Sequence, residues 1–229
     1  MIVKDYNEFI KLLYSHQDLK YKDFHGKLIL SNKLIGVRTP LLKKIAKEIS
    51  KGDYNSFIKL NKHNLYEEIM IHGLIIGYIK CDFSTVKELI NNFLPFINNW
   101  AICDMTAANL KIYRQNKDEG FNEIKKYLRS KNYWINRFAY VLLLDYYIES
   151  KYIDKNFILC SNYKDEYYVK MSIAWLLSMC YIKYKEKTLK FLNSNTLDKW
   201  THNKTIQKII ESNRISKDEK IILKGMKIK

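Results

Sequence analysis

Four side chains in this sequence have types and spacings that suit chemistry: Trp100, Asp104, Arg137 and Trp175. A carboxylate, a guanidinium and two indoles can between them oppose a developing positive charge, take a phosphate, and offer aromatic faces to a cationic or electron-poor group. Such a set fits a reaction that develops positive charge on a phosphodiester-linked substrate. What ties the four together is a repeat. Aromatic residues recur at Tyr66, Trp100, Trp134 and Tyr168, an interval of 34 each time. Eight positions after each stand Leu74, Ala108, Leu142 and Leu176; twelve after, Tyr78, Ile112, Tyr146 and Cys180; thirteen after, Ile79, Tyr113, Tyr147 and Tyr181. All of these are apolar or aromatic.

On a helix, offsets 0, 3, 4 and 7 from the repeating aromatic share one arc about 100° wide. Offset 3 reads Ile69, Cys103, Arg137, Met171; offset 4 reads Met70, Asp104, Phe138, Ser172; offset 7 reads Gly73, Ala107, Val141, Trp175. One repeat places a carboxylate, the next a guanidinium and the next an indole where most other repeats carry small or apolar groups. If equivalent helices stack side by side, these three residues and Trp100 converge on one patch. A buried charge is costly unless paired, so the exceptions need a reason. Two readings stay open: a salt bridge between Asp104 and Arg137 that fixes the stack with both indoles as core, or a site for a substrate.

The elements that position these residues must be helices. Only 7 Gly and 2 Pro occur in 229 residues, too few for the tight turns of sandwiches, barrels or Gly-rich phosphate loops. Amphipathic patterns predict helices at about 4–15, with Tyr6, Phe9, Ile10 and Leu13 inward, and at 20–31. A third helix is predicted from Thr39-Pro40, with Thr39 as cap and Pro40 at the first helical position, to a stop at Gly52. Beyond residue 53 each repeat reads as a hairpin, its second, shorter helix lying near 83–94, 119–129, 153–160 or 186–193. No Pro/Gly/Ser-rich linker interrupts the chain. The expectation is an all-α protein, a single domain over 1–229, built as a HEAT-like α-solenoid of stacked antiparallel hairpins with an extended curved surface.

Charge narrows the partner. With 40 Lys+Arg against 24 Asp+Glu, the chain carries +16, and a field of that sign attracts polyanions such as nucleic acid or an anionic membrane surface. Cys81, Cys103, Cys160 and Cys180 show no metal-ligand spacing and sit in apolar runs, as reduced core residues of an intracellular protein would. There is no uncharged apolar run of 18 residues and no leader pattern, which points to a cytoplasmic protein without a membrane segment. His16, His25, His63, His72 and His202 show no partnered arrangement for a general base.

The run from Gly36 to Lys47 (Gly36-Val37-Arg38-Thr39-Pro40-Leu41-Leu42-Lys43), then Trp100 to Asp104, Trp134 to Phe138 and Tyr168 to Trp175, resembles in order the AlkD-like DNA alkylation repair enzymes, over about residues 5–215. The resemblance implies HEAT-like repeats and a monofunctional glycosylase. Such an enzyme hydrolyses the N-glycosidic bond of cationic N3- or N7-alkylated purines in duplex DNA, without metal or cofactor. It implies Asp104 as catalytic carboxylate, Trp100 and Trp175 as the two indoles, and Arg137 as a backbone contact. Arg38, Lys43 and Lys170 lie in the same segments and, with Arg137, Lys204 and Lys208, are expected to touch DNA. The partner implied is alkylated double-stranded DNA, bound by a monomer. Asn99 and Ala101 stand where the family often has Trp and Asp, and Ser178 where a basic residue is common. The segment His202 to Arg214 marks a divergent branch, with Asn203, Lys204, Gln207 and Lys208 either gripping DNA or forming a solvated helix face. The alternative from another class is a non-catalytic solenoid that binds DNA structure or a protein.

Overall fold

Side-chain caps start most of the helices. Asp5, Asp18, Asp53, Asp82, Asn99, Asn132, Asp198 and Ser216 each precede a helix and accept a hydrogen bond from an amide of its first turn, which would otherwise be unpaired. The computed structural model describes residues 3, 5–31, 33–194 and 196–229, and among them it contains fourteen α-helices and no strand. Two compact units are formed, residues 1–116 and 117–229. The first holds α1 (Tyr6–Tyr14), α2 (Leu19–Ile29), α3 (Thr39–Ser50), α4 (Tyr54–Leu60), α5 (Tyr66–Tyr78), α6 (Phe83–Phe93) and α7 (Trp100–Asn109). The second holds α8 (Lys117–Leu128), α9 (Tyr133–Tyr146), α10 (Ile153–Cys160), α11 (Tyr167–Lys183), α12 (Lys185–Leu192), α13 (Lys199–Glu211) and α14 (Lys217–Gly225).

The repeat aromatics mark the starts of one set of helices: α5 and α7 begin on Tyr66 and Trp100, and α9 and α11 begin one residue before Trp134 and Tyr168. In the first unit α5 packs between α3 and α7; in the second, α11 packs between α9 and α13. The shorter helices close the hairpins of an all-α solenoid, and buried amides tie them back. Asn136 on α9 donates to the carbonyls of Tyr127, Leu128 and Ser130 at the end of α8, and Asn156 on α10 donates to Tyr147. Phe157 of α10 stacks on Phe191 of α12 with ring centroids 4.9 Å apart.

Several local expectations need correction. α3 takes Arg38 in the cap position without a side-chain bond, so Thr39 is the first helical residue rather than the cap. That helix ends at Ser50, and Gly52, beyond it, does not adopt the left-handed conformation that favours glycine at a helix stop. Ala108 is exposed although its column is otherwise buried, and Cys81 is half-buried, whereas Cys103, Cys160 and Cys180 lie in the core; none of the four is in a disulfide. Residue 4, in the first expected helix, lies outside the described residues.

Two close approaches shape the first unit. Gly36 has φ +99°, and a Cβ there would sit 2.7 Å from the Asp18 carbonyl oxygen. The three amides of Ile35, Gly36 and Val37 all donate to the carboxylate of Glu67, fully buried on α5, at 2.7 to 3.2 Å. Gly73 lets α5 approach α7, since a Cβ there would meet the Thr106 Oγ1 at 2.2 Å and the Phe93 ring at 2.8 Å.

Candidate active site

Helix α7 owes its start to Asn99. Its Oδ1 accepts from the amides of Ala101 and Ile102 at 3.0 Å, so the asparagine that departs from the family pattern is the residue that caps the helix. Ala101, the second departure, is buried at the same turn. Trp100 follows as the first helical residue, half-buried, and its Nε1 donates to the Leu28 carbonyl at 3.2 Å, which fixes the indole against the end of α2. Asp104 lies one turn further on, also half-buried. Its column mates Met70, Phe138 and Ser172 are at most 1% exposed. The repeat thus puts apolar or internally bonded groups in the core at this offset and leaves the carboxylate within reach of solvent.

The second unit positions Arg137 and Trp175. Arg137 on α9 is only 5% exposed, and its Nη1 donates to the Tyr168 carbonyl at 2.9 Å, in the first turn of α11. The ring of Trp134 lies 4.5 Å from that of Tyr168, so α9 grips the start of α11 by a ring contact and a charge-assisted hydrogen bond. Trp175 sits two turns along α11 and is half-buried, whereas its column mates Ala107 and Val141 are at most 1% exposed. Ser178 is buried and its hydroxyl donates to the Trp175 carbonyl at 2.7 Å, closing onto its own helix where the family commonly has a cation.

The expected DNA contacts are divided between the two units. Arg38 pairs with Asp18 at 2.8 Å and lies over the Tyr21 ring, with 64% of its side chain exposed. Lys43 is on the exposed face of α3. Lys170 and Lys204 come together, their ammonium groups 5.2 and 5.6 Å from the centroid of the Trp200 ring, while Lys208 follows one turn after Lys204 on α13. Asn203 is committed elsewhere: its side chain donates to the Ile228 carbonyl at 2.9 Å and accepts from the Ile228 amide at 2.8 Å. Gln207 accepts from Lys204 and donates to Glu211.

The expectation of unpartnered histidines fails. His63 Nε2 lies 2.8 Å from His72 Nδ1, and the His63 ring stacks on Phe96 at 3.7 Å. His63 reaches this place because its backbone is left-handed, φ 56°, just before α5, a conformation no side-chain spacing reveals. Burial lowers both proton affinities, pulling His72 down to about 3 with the neighbouring His63 as a smaller cause. The pair is therefore held neutral, inside the packing of the first unit. Among the described residues no group of three or more His, Cys, Asp or Glu is placed to hold a metal ion, and no helix is long and apolar enough to cross a membrane. The residues that the period passes over are Trp200 and its neighbours. Trp200 comes 32 residues after Tyr168 rather than 34, and the lysines at 199 and 204 were the signal that could have drawn attention to it.

A family model described as DNA alkylation repair enzyme matches residues 10–209. No curated protein matches the chain.

Proposed function

The chain belongs to the DNA alkylation repair enzyme family, and from that premise we propose that it is a monofunctional DNA glycosylase, a hydrolase of base excision repair that removes cationic N3- or N7-alkylated purines from duplex DNA. The observation that carries the reading is the pair on α7. Asp104 and Trp100 stand one turn apart and remain accessible at repeat positions where nearly all their equivalents are buried.

An alkylated purine already bears positive charge, so its glycosidic bond is weak and the leaving base needs no proton. The barrier that remains is the positive charge that grows on the deoxyribose as the bond stretches. Asp104 as a carboxylate stabilises that oxocarbenium-like sugar, and orients the water that attacks C1′ and accepts its proton. The water oxygen bonds to C1′ as the C1′–N bond breaks, and the base departs as a neutral purine. Trp100, held by the Leu28 carbonyl, presents an indole whose electron-rich face favours the same charge. Trp175, on the second unit, is the indole that the family resemblance implies as the second.

Arg137 receives a different role from the one its charge first proposes. With its guanidinium bound to the Tyr168 carbonyl and covered, it acts as a positioning residue for α11, the helix that bears Trp175. Arg38, Lys43, Lys170, Lys204 and Lys208 supply the phosphate contacts, which set register without reading sequence. No step calls on a metal or cofactor.

The test is base release. Purified protein incubated with N-methylated duplex DNA frees 3-methyladenine or 7-methylguanine, detected by chromatography and as abasic sites. Binding to the same DNA without base release would overturn the enzyme in favour of the non-catalytic binding solenoid.

A further inference from the structure

Trp200, the second residue of α13, is half-buried and sits beside an open cavity of about 460 Å³ lined by Lys199, Trp200, Asn203, Lys204, Gln207 and Lys227. No carboxylate is among those lining residues. The acidic groups near it are engaged: Asp198 accepts from the amides of Trp200 and Thr201 and from the hydroxyls of Thr201 and Tyr163, and Asp165 pairs with Lys170 at 2.5 Å. The third lysine is brought in by the end of the chain. His202 Nε2 donates to the Met226 carbonyl at 2.9 Å and Asn203 clasps the Ile228 backbone, which places Lys227 at the cavity. Tyr167, 55% exposed, meets the indole edge-on with centroids 5.6 Å apart.

We infer that Trp200, Lys199, Lys204 and Lys227 form a second nucleic-acid site, one that takes an unpaired nucleotide of single-stranded DNA with its base stacked on the indole and its phosphate among the ammonium groups. The two lysines over Trp200 differ in a way that supports this. Lys170 is anchored by the Asp165 carboxylate, while Lys204 lines the cavity and bonds the neutral amide oxygen of Gln207 at 3.1 Å. A phosphate entering the cavity offers Lys204 a stronger partner than an amide and a ring, and drawing it off the indole uncovers a face for a base. Within a double helix both faces of each base are already stacked, so the indole selects unpaired bases. Because every base has such a face, the selection carries no sequence preference. The inference rests on DNA being the partner, and it adds a place where a frayed end or an unpaired base next to a lesion is held.

The experiment uses the full chain, an end-labelled (dT)8 oligonucleotide and a blunt duplex, with binding read by fluorescence anisotropy. Trp200→Ala weakens (dT)8 binding about tenfold, as loss of one stacked base does, and leaves duplex binding unchanged. Trp200→Phe, which keeps an aromatic face, stays near the parent; Trp200→Leu, which keeps apolar bulk alone, behaves like Trp200→Ala and stands in if that variant unfolds. Lys199→Ala with Lys227→Ala, which leaves the duplex contact Lys204 in place, lowers the slope of log affinity against log salt for (dT)8 by roughly 1.4. Equal (dT)8 affinities for parent, Trp200→Ala and Trp200→Leu would overturn the site, as would lysine variants that weaken single strand and duplex alike while Trp200→Leu is silent. Base release from methylated duplex, assayed on the same preparations, keeps the two readings apart: its absence in the parent sinks the glycosylase and not this site, and its presence without a Trp200 effect sinks this site alone.

Discussion

Glu67 on α5 and Asp104 on α7 stand on helices that pack against each other, and the chain uses them in opposite ways. Glu67 has no exposed surface and accepts from three consecutive backbone amides, so its charge is consumed in holding the segment that leads into α3. Asp104 keeps part of its surface open in a column whose other members are buried. An acidic residue closed off in the core by backbone donors is architecture, whereas one that stays half-buried keeps a face from which its field can reach a substrate. Sequence type does not separate the two.

That comparison breaks most visibly at Glu67. Glu67→Ala leaves the amides of Ile35, Gly36 and Val37 buried without their acceptor and costs about 4 kcal/mol of folding stability by urea denaturation, with base release per folded molecule unchanged. A loss below about 1 kcal/mol would remove the residue from the architecture. Asp104→Asn is the mirror case. Shape and much of the hydrogen bonding persist but the charge goes, so base release falls about a hundredfold or more, a barrier increase of about 3 kcal/mol, while melting midpoint and duplex affinity hold. A drop of about 3 kcal/mol in folding stability instead would class Asp104 with Glu67.

Smaller effects sharpen the contrast. Gly73→Ala forces a methyl against Thr106 Oγ1 and the Phe93 ring, and costs about 2 kcal/mol by spreading α5 from α7. A parallel loss of base release at temperatures where the variant is folded shows that the placing of Asp104 depends on this contact; unaffected rates would show α7 holding its site without it. The gentlest lever is pH. His72 binds its proton far more weakly folded, at about 3, than its ordinary 6.5, so the unfolded chain takes up more protons between these values. Stability from this group is complete above pH 6.5 and is lost as pH falls toward 3, at a slope of up to about 1.4 kcal/mol per pH unit. Denaturant midpoints measured from pH 7.5 to 4.5 follow that slope in the parent, and His72→Gln flattens it. An equal slope in both would mean that His72 is protonated in the native protein.

Composition and apolar periodicity are enough for the all-α class and the positions of most helices, because periodicity acts over a few residues and each repeat states it again; α4, α13 and α14 fall outside that reading, and Ala108 breaks its otherwise buried column. The caps Asp18, Asp82, Asn99 and Asp198 emerge only in the structure, and the one cap expected from the sequence, Thr39, is the first helical residue instead. Asp104 and Trp175 were legible as exceptions because a column of equivalents made their polarity or bulk stand out. Tertiary structure decided what those columns cannot carry. It covered Arg137 and turned it to the Tyr168 carbonyl, 31 residues on; it filled Glu67 with amides some 30 residues upstream; it paired His63 with His72 through a left-handed residue; and it gathered Lys170, Lys204 and the end of the chain around Trp200. Each of these depends on where a side chain's polar atom ends after distant segments pack. A hydrogen bond forms or fails within a few tenths of an ångström, and local periodicity does not specify position to that precision.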